Sequence, residues 1–159
     1  MTIRAPLVII NGRIQELPIG DSIAGAGTGG GGSGIEAQAA TTGEDVSVTE
    51  ILYLTSSGIA NLAQADDIDT SHAVGICTLG ATTGNTCEFL TEGLVTASDW
   101  TACIGSASLS PGVLYFLDPD NAGQMVTTAP NTSGQVVTVI GRATTTKVLD
   151  LTITQPILL

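Results

Sequence analysis

The chain has 159 residues, with 15 Asp and Glu against 4 Lys and Arg, and a net charge of −11. That balance argues against a nucleic-acid binder, because phosphate contacts need Lys and Arg. A hydrophobic fraction of 43% argues against disorder despite 20 glycines, and no apolar run reaches the roughly 18 residues of a helical membrane span.

In chain order, residues 1–23 read as an apolar arm. Leu7-Val8-Ile9-Ile10 is β-prone, and Asn11-Gly12 is the strongest short hairpin signal. Arg13-Ile14-Gln15-Glu16-Leu17 is the expected return strand, stopped by Pro18 and Gly20-Asp21. A two-strand hairpin of this size is marginal alone, so it is expected to pack on the body or on another chain, and the Gly-rich link behind it favours another chain. The start carries Arg4 but no full secretory h-region, so the expectation is a protein made and used without secretion. Residues 24–34 form a Gly-rich link, which as flexible chain would span roughly 17–20 Å.

Residues 35–159 read as an all-β body. Strands are expected at Val46–Thr49, Ile51–Leu54, His72–Leu79, Thr86–Val95, Val113–Leu117, Gln124–Thr128, Gln135–Ala143 and Thr146–Ile153. Ser110-Pro111-Gly112 suits a type II turn, and Asp118–Gly123 reads as another turn. Ile59–Ala65 and Ala97–Ile104 are the only windows that suit helix. Many short strands with Gly- and Pro-rich turns indicate a β-sandwich or small barrel behind an extended N-terminal arm.

The body also carries an internal echo. Ile51-Leu52-Tyr53-Leu54 matches Val113-Leu114-Tyr115-Phe116, and Val74-Gly75-Ile76-Cys77-Thr78 matches Ile140-Gly141-Arg142-Ala143-Thr144. Two similar β motifs are expected.

Catalytic chemistry is sparse. The single imidazole, His72, has no partner pattern around it, and no Gly-x-Ser-x-Gly elbow or phosphate-binding loop is present. Carboxylates are numerous, but glycosidase sites sit among aromatics, and this chain has one Trp (Trp100), two Tyr and two Phe. The expectation is no enzyme. Asp66-Asp67-Ile68-Asp69 and Asp118-x-Asp120-Asn121 are the two acidic clusters. The second resembles half a calcium loop, but the expected Glu at its twelfth position is Ala129. No metal or cofactor is expected. Cys77, Cys87 and Cys103 lack Cys-x-x-Cys spacing and read as free buried thiols, with a Cys77–Cys87 bridge as the alternative.

The segment Ile9-Ile10-Asn11-Gly12-Arg13-Ile14-Gln15-Glu16-Leu17-Pro18-Ile19-Gly20-Asp21 resembles the entry segment of tailed-bacteriophage virion proteins, including tail-fibre and decoration proteins. The stretch Leu109–Asp118, then Thr127-Thr128-Ala129-Pro130 and Gly134–Ala143, is similar to a small β domain of phage capsid-decoration and fibre proteins. The resemblance implies a structural virion protein on the outer surface of the particle, most simply a homotrimeric capsid decoration (cement) protein that clamps neighbouring capsid subunits. Its partner would be the major capsid protein or another virion protein, with no nucleic acid and no membrane. Leu7, Ile9, Arg13, Ile14 and Leu17 are the expected partner contacts. The alternative is a short tail-fibre or adaptor component that binds a host receptor or another tail protein.

The charges suggest an orientation. From Ile14 to Gly141 there is no Lys or Arg, while two of the four cations, Arg4 and Arg13, lie in the arm. An arm turned toward protein and an acidic body turned toward solvent would fit.

Overall fold

The structure, a computed structural model, describes residues 7–10, 13–16 and 36–159. The chain divides into two units, residues 1–34 and residues 35–159. In the first, β1 (Leu7–Ile10) pairs antiparallel with β2 (Arg13–Glu16). Ile10 stands opposite Arg13, so two residues separate the paired strands, as the Asn-Gly signal requires.

The second unit is all-β apart from one helical turn. Its elements begin with β3 (Gln38–Thr41), β4 (Ile51–Leu54), β5 (Ala60–Leu62), β6 (Ala73–Leu79) and β7 (Thr86–Leu90). There follow β8 (Gly93–Thr96), α1 (Thr101–Ile104), β9 (Leu114–Leu117), β10 (Met125–Val126) and β11 (Val136–Val137). The last are β12 (Val139–Ala143), β13 (Val148–Leu151) and β14 (Ile157–Leu158). The strands are short and rich in Val, Ile, Leu and Thr, which pack well on a pleated surface.

Two five-stranded antiparallel sheets carry the architecture, in the orders β3-β7-β6-β4-β5 and β8-β13-β12-β9-β10. Written this way, each sheet follows the same path. Its first strand lies at one edge beside its last, and its second and third strands form a hairpin at the other edge. The internal echo is therefore a repeated topology.

The register makes the match finer. Leu52 lies opposite Gly75 and Tyr53 opposite Ala73, so Val74 is an extra residue in the ladder. In the second sheet Tyr115 lies opposite Gly141 and Phe116 opposite Val139, so Ile140 is extra at the same place. Both repeats carry this bulge just before a glycine that needs the space, and the first has another at Thr78 between β6 and β7. A Cβ on Gly75 would strike the Leu90 carbonyl oxygen, and one on Gly141 the Asp150 carbonyl oxygen. The register equates Leu52, not Tyr53, with Tyr115. The Tyr-to-Tyr match is thus one residue out of step, whereas the Gly75–Gly141 match holds.

The repeats differ in what covers their faces. In the first sheet Leu52, Ala60, Cys77, Cys87 and Phe89 form a small core with Val46. The alternate residues Ile51 and Ile76 enter the larger core, with Tyr53, Ala73 and Leu90 packed against it. Both faces are therefore covered. Thr42, just after β3, bridges Ala60 in parallel, so the two edges of this sheet meet and it curls into a small barrel. The second sheet gives one face to the larger core through Val95, Tyr115, Leu117, Met125, Ala143, Leu149 and Leu151. Each fully buried large side chain there contributes roughly 1.5–3 kcal/mol. Backbone bonds stitch the repeats together: Ile51 N–H to Gly123 O (2.9 Å), Ala65 N–H to Asp118 O (3.0 Å) and Val136 N–H to Ala65 O (2.9 Å).

Several expected elements divide. Thr86–Val95 is two strands, β7 and β8, one in each sheet, and Gly93 (φ 91°) stands where the chain crosses. Gln135–Ala143 splits at Thr138, whose buried hydroxyl donates to Ser71 O (3.3 Å). Val46–Thr49 is no strand. Val46 makes an isolated bridge to Ala81, and Thr49 turns the chain at φ 79°. Of the two helix-prone windows, Ile59–Ala65 contains strand β5 and Ala97–Ile104 contains only the single turn α1.

Candidate functional site

The hairpin holds four of the five expected contact residues. Its register sets Leu7 opposite Glu16, Ile9 opposite Ile14, and Arg13 opposite Ile10. Leu7, Ile9 and Ile14 therefore occupy one alternating set of positions and Arg13 the other. Leu17 and the Gly-rich link 24–34 lie outside the described residues. Among the described residues β1 and β2 pair with each other and with no other strand, and a two-stranded sheet of this kind is suited to strand addition. Residues 1–34 carry no net charge, whereas the body holds the whole −11. The net acidity of the chain is thus confined to the body.

The acidic clusters of the body are spent on their own loops. Asp118, buried, accepts from Asp120 N–H (2.8 Å) and Asn121 N–H (3.3 Å) through Oδ1 and from Asn121 Nδ2 (3.1 Å) through Oδ2. Asp67 Oδ1 accepts from Asp69 N–H (2.8 Å), and Asp66 Oδ1 accepts from Thr70 Oγ1 (3.2 Å). These are Asx-type turn bonds. Among the described residues no three His, Cys, Asp or Glu side chains gather to hold a metal ion.

A concavity of about 620 Å³ lies on the second repeat between the 104–110 loop and the 126–135 segment. Ser106, Ser108, Asp120, Thr127, Asn131 and Gln135 line it. It is broad and rich in hydroxyl and amide groups. The Tyr115 ring at its base is buried, and Tyr115 Oη accepts from Ser110 N–H (2.9 Å). Trp100 offers no stacking platform, because it is fully buried and its Nε1 donates to Lys147 O (3.4 Å). His72 is exposed at the mouth of a smaller recess.

The three cysteines are free and buried. Burial pushes the Cys77 thiol up to about 12, with Cys87 and Glu50 adding to the effect, and raises Cys103 further. Thiols held this far from ionisation are poor nucleophiles.

Glu50 carried no sequence signal, yet it is a half-buried carboxylate. Burial raises its pKa, offset by the Ser47 N–H that donates to its Oε2 (2.7 Å). Lys147, read from the sequence only as a charge, donates from Nζ to Ser98 O and Ala107 O, both at 2.6 Å. It thereby ties the segment containing α1 to the turn between β12 and β13.

No protein-family model and no curated protein matches the chain. No described helix is long and apolar enough to cross a membrane.

Proposed function

We propose that the protein is a structural component of a tailed-phage particle, a head-decoration or cement protein whose N-terminal arm clamps neighbouring capsid subunits. The observation that carries this reading is the hairpin. It is a two-stranded β unit in a segment of zero net charge, set before an acidic body.

The mechanism is mechanical. Strand addition to a capsid edge supplies main-chain hydrogen bonds of about 0.5–1.5 kcal/mol each. Burial of Leu7, Ile9, Ile14 and Leu17 against an apolar groove would add roughly 1.5–3 kcal/mol per side chain, less the cost of ordering the arm. Several arms joined in one oligomer would multiply a modest contact through effective concentration. A clamp that binds only the assembled lattice stabilises assembly by linkage.

The 620 Å³ hydroxyl-lined groove favours a second reading, a short tail component that binds a host glycan or another tail protein. Deleting residues 1–23 separates the two. Under the decoration reading the truncated chain stays folded and no longer binds capsids. Retained capsid binding would contradict it, and binding to host glycan by the truncated chain would favour the tail reading.

A further inference from the structure

We propose that the outer face of the second sheet docks a second copy of this chain by a two-fold apposition, in which Arg142 of each copy meets Asp150 of the other. The inference does not depend on the virion reading.

The repeat shows what this face is. In the first repeat the corresponding positions are Ile51, Tyr53, Ala73, Ile76 and Leu90, all within or packed on the larger core. Their register equivalents in the second repeat are Leu114, Phe116, Val139, Arg142 and Asp150. None of these five belongs to either core. Leu94, paired with Asp150 on the neighbouring strand, is 65% exposed. A face that is a packing surface in one repeat is therefore only partly covered in the other, where Leu114, Phe116 and Val139 are half-buried and Leu94, Arg142 and Asp150 are exposed.

The two exchanged positions identify the occupant. Where the first repeat places Ile76 opposite Leu90, the second places Arg142 opposite Asp150. One positive and one negative side chain thus stand side by side in an apolar field. A two-fold axis between them sets each charge of one copy against the opposite charge of the other, the self-complementarity that an isologous interface requires.

Elsewhere two such bodies repel. The body carries only two cations, Arg142 and Lys147. The Lys147 ammonium is committed to two carbonyls. Arg142 donates from Nη1 to Gly112 O (2.7 Å), and its guanidinium has further N–H donors to offer. Around the exposed Arg142 a second acidic copy can gain rather than lose electrostatic energy.

The test is light scattering after size exclusion on the full chain, over a concentration series up to about 100 µM, together with thermal melts of each variant. The wild type should reach twice 16.0 kDa. Arg142→Asp and Asp150→Arg should each weaken self-association at least about tenfold, and the double exchange Arg142→Asp with Asp150→Arg should restore it. Leu94→Glu, at a side chain with little packing to lose, should weaken it as well and serves if an Arg142 or Asp150 variant fails to fold. A monomeric wild type assigns the face to a different protein and overturns the proposal. So does a trimer indifferent to these changes, or a folded double exchange that stays monomeric.

Discussion

Gly141 shows how one residue holds the repeat together. The bulge at Ile140 brings β12 so close to β13 that no side chain fits at position 141. Gly141→Ala should cost on the order of 3 kcal/mol, because backbone must move. Urea denaturation measures it, and Gly75→Ala should behave alike. Glu50 makes a pH-dependent prediction. Its folded pKa lies above the ordinary value of a glutamate, 4.5, chiefly through burial. The folded state therefore holds the proton more tightly than the unfolded state. The associated stability is fully present below about pH 4.5 and is lost as pH rises through the raised value. Glu50→Gln keeps an acceptor for Ser47 N–H and removes the buried charge. It should be more stable than the wild type at pH 7, and the gain should vanish below about pH 4.5 in paired thermal melts.

Between the two repeats, the element that differs most is the connection after the first strand. In the first repeat it runs through Val46 to Thr49 and closes the small core. In the second it carries Trp100, Cys103 and Leu109 into the larger core, and Lys147 pins its backbone at Ser98 and Ala107. Lys147→Met keeps the aliphatic stem and removes both bonds. It should speed amide exchange across residues 98–108 and cost about 1–3 kcal/mol. Elements of this kind were only partly legible in the sequence. The hairpin, the Pro111-Gly112 turn and the all-β character follow from local chemistry: Asn11-Gly12 between apolar runs, Gly112 at φ 80°, and Val113 N–H bonding back to Ser110 O. The division of Thr86–Val95 was hidden, because one apolar run serves two sheets and only the conformation of Gly93 marks the crossing. The strand pairs β3–β7 and β11–β14 were also missed, since Gln38–Thr41 and Ile157–Leu158 are too short and too exposed to show a period. Arg142 was visible in the echo, aligned with Ile76, but a cation in place of a core residue acquires meaning only once the two faces are known.

At the scale of the whole molecule, charge and repetition set the behaviour. A body of −11 with two cations repels itself, so its melting temperature should rise as salt is added from low to physiological ionic strength. A flat or falling response would show that self-repulsion is a minor term. On the proposed reading, the arm of zero net charge and the Arg142 face are where another protein approaches. As a cement protein, the role proposed above, the chain would reach into a lattice with its arm and turn its acidic body to solvent. The most direct measurement is the number of copies per purified particle, by quantitative mass spectrometry against the major capsid protein. The account predicts hundreds of copies, in fixed proportion to the capsid lattice and its symmetry. A count of roughly a dozen or fewer, or none, would contradict it.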